Sequence, residues 1–220
     1  MKQLLLCLLF LAPIFPLSAQ EEKEKPGSGI LVRGFAFALF EETDKLELRT
    51  PERVVGELEL ATGQLQGGIT VSARQFAFGV VEGEEFRTLG TVALPNSGKN
   101  FILVFAPTAT GYHAFPVRAD DPEFRGNDKY IFNFTKRRLG IFLGTARQAI
   151  APLKNAKLRP EFPADDTFYQ AMFTYEEDGK IVPFNNTRWP VNGNVKSLIF
   201  VFEDPESGKL AYRSVTELAR

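Results

Sequence analysis

From Ile30 onward, large apolar residues recur at every second position. Phe35, Phe37 and Leu39 share one face, with Ala36 and Ala38 between them, and Phe76, Phe78 and Val80 alternate with Ala77 and Gly79. Tyr130, Phe132 and Phe134 repeat the pattern, as do Tyr169, Ala171, Phe173 and Tyr175. Alternation of large and small or polar residues is the mark of half-buried strands. Two segments, Phe101 to Phe105 and Leu198 to Phe202, are apolar throughout, which suits central strands covered on both faces. Asn96-Ser97-Gly98-Lys99, Glu177-Asp178-Gly179-Lys180 and Glu206-Ser207-Gly208-Lys209 each place a glycine where a hairpin turn needs positive φ. Helical periodicity is confined to Asp121-Pro122-Glu123-Phe124 and Thr216 to Ala219, where single turns are expected.

The strand patterns repeat. Shifted by 97 residues, Phe35 and Phe37 fall on Phe132 and Phe134, Leu46 on Leu143 and Phe76 on Phe173; Ile102, Val104 and Phe105 fall on Ile199, Val201 and Phe202. A period of this length is a domain, not a solenoid unit. The expected fold is therefore all-β: two tandem immunoglobulin-like β-sandwich domains, at about residues 30–120 and 126–220, with the joint running from Ala119 to Asp128. One large jelly-roll-like sandwich is the competing arrangement.

Ahead of the strands, Met1-Lys2, the apolar run Leu4 to Leu11 and the small residues Ser18-Ala19 read as a secretory signal cleaved between Ala19 and Gln20. Residues 20–29, QEEKEKPGSG, have the composition of a flexible tether. Cleavage removes Cys7, the single cysteine, and with it any disulfide, thiol nucleophile or thiolate metal ligand. The core must then be built from aromatics, of which the chain holds 21 Phe. Lys plus Arg number 26 against 27 Asp plus Glu; without Lys2 the balance is 25 against 27, which argues against nucleic acid or an anionic membrane as partner. The Lys136-Arg137-Arg138 cluster is a local exception and reads as a solvated turn.

Chemistry is sparse. His113, the one histidine, lies in a strand pattern, and no nucleophile elbow, zinc, phosphate-loop or dinucleotide motif occurs. Asp120-Asp121, Asp165-Asp166 and Glu176-Glu177-Asp178 are candidate carboxylate pairs for a glycosidase, and Asp120, Asp121, Glu123 and Asp128 candidate calcium ligands. Trp189 either packs at the edge of the second core or against the first domain, or forms a platform for a sugar ring. Asn133 and Asn185 head glycosylation acceptor triplets, Asn133 within a strand.

The stretch from Phe124 to Thr135, FRGNDKYIFNFT, followed by Gly140, Gly144, Trp189 and LIFVFEDP, resembles uncharacterised exported proteins of bacteria such as the Verrucomicrobiota and Planctomycetota. The resemblance covers the second half and implies a bacterial envelope location, periplasmic or at the surface. Together these readings predict a non-catalytic binding or assembly protein of the cell envelope. Its partner would be an envelope protein or a surface polysaccharide. Cofactors are not expected, and the mature chain carries no transmembrane segment. The alternatives are a carbohydrate-binding module and, behind it, a carboxylate enzyme acting on polysaccharide. Exposed aromatics in a row would mark the former.

Overall fold

The computed structural model describes residues 29–41, 43–204 and 207–219; the cleavage point at Ala19 and Gln20, and the tether through Ser28, lie outside them. The described residues form sixteen strands and no helix, so none of them builds a helix long and apolar enough to cross a membrane. The first eight are β1 (Ile30–Ala36), β2 (Lys45–Arg49), β3 (Val54–Glu59), β4 (Gly68–Val71), β5 (Gln75–Glu82), β6 (Glu85–Ala93), β7 (Asn100–Pro107) and β8 (Tyr112–Arg118). The second eight are β9 (Lys129–Asn133), β10 (Leu139–Leu143), β11 (Ala146–Ile150), β12 (Asn155–Leu158), β13 (Phe168–Glu177), β14 (Lys180–Pro190), β15 (Val195–Glu203) and β16 (Leu210–Leu218).

Each set of eight makes two four-stranded sheets, ordered β3-β2-β5-β6 with β4-β1-β7-β8, and β11-β10-β13-β14 with β12-β9-β15-β16. The second order is the first with eight added to every strand. In each unit one pair is parallel, β1 with β7 and β9 with β15, and every other pair is antiparallel. These are two tandem β-sandwich units, as the alternation predicts.

Three apolar cores separate the four sheets. One lies inside the first sandwich around Phe78, Phe101 and Phe105, and one inside the second around Ile141, Phe173 and Ile199. The third lies between the units, where Phe35, Ile102 and Val104 meet Phe132, Leu198 and Phe200. Phe200 stacks on Phe35, Phe132 and Phe134 at centroid separations of 4.9, 5.3 and 5.9 Å. The continuous apolar runs in β7 and β15 follow from this: both strands are covered on both faces.

One pair of contacts across the middle core is exchanged between the units. Phe37 of the β1 end packs under the guanidinium of Arg213 on β16, while Phe134 of the β9 end packs on Phe115 of β8. Arg33 on β1 pairs with Glu217 on β16, and Lys196 on β15 donates to the carbonyl of Ala119 beyond β8. Phe124, in the joint, is buried in the same core beneath Lys196, whose ammonium lies 4.9 Å from its ring centroid.

Several local expectations change. β1 and β9 are not half-buried: Ala36 and Ile131 face the sandwich cores while Phe35 and Phe132 face the middle core, and Leu39 lies beyond β1 and is exposed. Gly98 has φ of 96°, but its segment carries the chain from one sheet to the other instead of closing a hairpin. Asp178 and Gly179, at φ 50° and 72°, do close the two-residue turn between β13 and β14. Thr216 to Leu218 continue β16 as strand.

The repeat holds, but no single offset carries it. Phe35 corresponds to Phe132, a shift of 97. The buried bulge residues Phe78 and Phe173, facing Leu48 and Ile141, differ by 95, and Val104 and Phe200, partners of Phe35 and Phe132, by 96. A shift of 97 in β15 sets Ile102, which faces the middle core, on Ile199, which faces the second sandwich. A one-residue slip exchanges the faces of a strand, and unequal connections between strands produce it here.

Candidate functional site

The residues that the sequence singles out are mostly taken up in structural roles. The acids of the joint are each bound by protein groups. Arg159 grips Asp128 at 2.7 and 2.8 Å while the Arg125 amide donates to it. Lys157 bridges Asp121 and Glu123 at 3.1 and 3.4 Å. Burial opposes ionisation of Asp120, but the Lys99 amide and Arg118 outweigh it and hold the carboxyl below its ordinary value. Among the described residues no three His, Cys, Asp or Glu side chains gather closely enough to hold a metal ion. Asp165 and Asp166 are exposed in the turn before β13, and Glu176, Glu177 and Asp178 cap the β13–β14 hairpin, with Glu177 paired to Arg137 at 2.6 Å. Arg137 also lies over the Tyr175 ring at 4.6 Å, which ties the basic cluster to the second sandwich. His113 is exposed on β8, its ring edge-on to Phe115. Asn133 is fully buried; its amide donates to the carbonyls of Arg137, Ile150 and Ala151, and its oxygen accepts from Thr135.

Trp189 lies near the end of β14 and packs half-buried on the second core, in contact with Tyr169, Phe173 and Tyr212. It neither touches the first unit nor stands in an exposed row, because Tyr112 and Tyr169 are buried and Tyr130, Tyr175 and Tyr212 are partly so. What it does is flank a pocket of about 230 Å³ at one end of the second sandwich. Lys129 and Ser197 from the parallel pair, Tyr169 from β13, and Ser214 and Thr216 from β16 complete the lining.

The first sandwich shows what this end looks like when filled. Strand pairing sets Val32 against Lys129, Phe101 against Ser197, Leu94 against Trp189 and Arg74 against Tyr169. Val32, Leu94 and Phe101 are core residues, and the Arg74 guanidinium covers the Phe101 ring at 6.0 Å while donating to the carbonyls of Pro95 and Gly98. In the second sandwich the phenylalanine has become a serine and the valine a lysine, so an aromatic plug is exchanged for a cavity with polar walls.

Lys129 is 7% exposed, and its Nζ has one hydrogen-bond partner, Ser197 Oγ at 3.3 Å. Burial pulls the ammonium down from its ordinary value to about 8, against the opposing pull of the Asp128 charge. The Trp189 ring centroid is 6.0 Å from Nζ. Tyr169 is 3% exposed, its hydroxyl has no hydrogen-bond partner, and burial pushes its ionisation well above the ordinary phenol range. Buried donors without acceptors are costly, so this end of the sandwich is built at the expense of stability.

A second difference opens the same border. In the first unit β6 runs close beside β8, because Gly90 and Gly111 let the backbones meet: a Cβ at Gly90 would strike the Phe78 ring and the Tyr112 carbonyl, and one at Gly111 the Leu89 carbonyl. The corresponding residues are Asn185 and Lys209. β14 and β16 approach each other less, Asn185 Nδ2 is left without a partner, and a cleft of about 370 Å³ opens beside Phe184 and Leu210.

Lys129 escapes a reading of the sequence because it precedes the apolar positions Tyr130, Phe132 and Phe134 and so falls on the face assumed to be solvated. The signal that finds it is parity: Lys129, Ile131 and Asn133 share a face, and that face is the inside of the sandwich. Comparison with protein-family models and with curated protein sequences finds no match.

Proposed function

We propose that this chain is an exported, non-catalytic binding protein of the bacterial envelope and that its ligand enters the pocket flanked by Lys129 and Trp189. The observation that supports the reading is the exchange between the two units. Where the first sandwich closes its end with Val32 and Phe101, the second keeps a buried lysine and a tyrosine hydroxyl whose hydrogen-bonding capacity its own atoms leave unused. Polar groups converging in an otherwise apolar wall are how small-molecule sites fix their ligands. Export and the envelope come from the signal-like leader and the resemblance of the second half to bacterial exported proteins.

Of the two partner classes expected, a saccharide is better supported than a protein. Edge pairing needs room beside a strand edge, and at three of the four sandwich borders the edge strands of the two sheets crowd one another without pairing, β3 beside β4, β6 beside β8 and β11 beside β12. The fourth border, β14 and β16, holds the pocket with its indole and hydroxyls. The test is retention of envelope polysaccharide by the immobilised chain and by a Lys129→Val, Ser197→Phe double variant, which rebuilds the filled end of the first sandwich. Retention lost in the variant, with its thermal transition intact, is the expected result. Equal retention would sink the reading.

A further inference from the structure

We infer that the group received by this pocket is a uronic acid residue, its carboxylate taken by Lys129 and Tyr169 and one face of its ring set against Trp189. The inference rests on the reading of the pocket as a ligand site and adds the charge and class of the ligand.

The argument starts from unspent donors. An ammonium carries three protons and a phenol one. Lys129 spends one of its three on Ser197, and Tyr169 spends none. Both groups line one small space, Lys129 is the only charged residue in its wall, and no described carboxylate pairs with it. Asp128, its neighbour in the chain, belongs instead to Arg159 and the Arg125 amide. A buried cation and a buried hydroxyl without acceptors are met best by an anion with two oxygens, and charge-assisted hydrogen bonds are the strong ones.

Size and lining narrow the class. The pocket, about 230 Å³, is smaller than the roughly 300–1,000 Å³ typical of sites for larger ligands. One compact residue fits it, not an extended chain. Ser197, Ser214 and Thr216 offer hydroxyls able both to donate and to accept, which suits the hydroxyls of a pyranose. Trp189 offers the apolar surface on which such a ring stacks. A bare inorganic anion would leave the indole unused. A peptide carboxyl terminus would bring the carboxylate but has no use for the three hydroxyls.

The pH response follows from the groups that face Nζ. They are Ser197 from β15 and the Trp189 ring from β14, with Tyr169 and Thr216 elsewhere in the pocket wall and Asp128 adjacent on its own chain. Of the pocket's two titratable groups Lys129 alone changes charge near pH 8, since burial pushes Tyr169 well above the ordinary phenol range. Affinity for an acidic sugar therefore falls as pH rises through the lysine's value.

The experiment is calorimetric titration of the mature chain with short oligomers of glucuronic acid and of glucose, at about pH 6.5 and about pH 9.5. Wild type is compared with Lys129→Met and Tyr169→Phe; the second removes one oxygen and leaves the ring packing. The acidic oligomer is expected to bind about tenfold or more tightly than the neutral one, to lose about that factor in Lys129→Met and at the higher pH, and to weaken severalfold in Tyr169→Phe. Equal binding of both oligomers overturns the carboxylate while leaving pocket-dependent retention in place. Binding of peptides through a free carboxyl terminus, with no oligosaccharide bound, overturns the sugar. If neither oligomer binds while polysaccharide retention still depends on the pocket, the uronic acid is wrong and the ligand site stands.

Discussion

The two sandwiches share strand order, pairing direction, the buried bulge phenylalanine and a common middle layer, yet one is closed and the other is open. The first has phenylalanine, valine and two close-approach glycines where the second has serine, lysine, asparagine and lysine. Four exchanges within one framework thus separate a unit whose end is filled from a unit whose end holds a pocket with polar walls.

The comparison is broken most severely in the closed unit. Phe101→Ser imports the second unit's residue into a filled core, and a loss of about 3–5 kcal/mol is expected from urea unfolding; Ser197→Ala, at the equivalent place, should change stability little. The reverse graft, Lys129→Val with Ser197→Phe, removes a desolvated charge and fills its cavity. A gain of about 1–4 kcal/mol is expected in the same measurement. Gly90→Asn places a side chain against the Phe78 ring and the Tyr112 carbonyl and should cost about 1–3 kcal/mol, with faster amide exchange along β8 as the local sign that the border has opened.

The finest contrast is in pH. Lys129 titrates near 8 in the folded chain and near its ordinary 10.5 when unfolded. Its burial penalty is fully present below about pH 8. Between those two values the folded state has released a proton that the unfolded state still holds, so stability rises with pH across the window. The rise is at most roughly 3 kcal/mol, and it should vanish from the difference curve when wild type is compared with Lys129→Met. A flat wild-type curve relative to the variant would mean that the lysine is hydrated in the folded state.

Much of this architecture is legible in the residues. The apolar runs of β7 and β15 announce strands covered on both faces, the Asp178-Gly179 turn announces its hairpin, and the shifted patterns announce duplication. What stays hidden depends on which face of a strand meets which neighbour. Phe132 and Ile131 are equally apolar, and nothing local says that one faces a second domain and the other its own sandwich. The pocket is hidden for the same reason. Ser197 and Lys129 look like strand-end polar residues until they are set beside Phe101 and Val32, and that alignment needs a shift of 96 for one and 97 for the other.

The exchanged contacts of the middle layer have a meaning beyond packing. Phe37 with Arg213 and Phe134 with Phe115 are one contact seen from both sides, while the places equivalent to Arg33 and Glu217 are held by Tyr130 and Ala119 of the same core. That is the two-fold relation of a symmetric dimer, here between two halves of one chain. Charge breaks the symmetry. A dimer of first halves would set Arg33 against Ala119 with no carboxylate opposite it, whereas in a dimer of second halves Glu217 would keep Lys196 of its own half at 3.9 Å. The mixed pair alone gives Arg33 a carboxylate, which favours it over a pair of first halves.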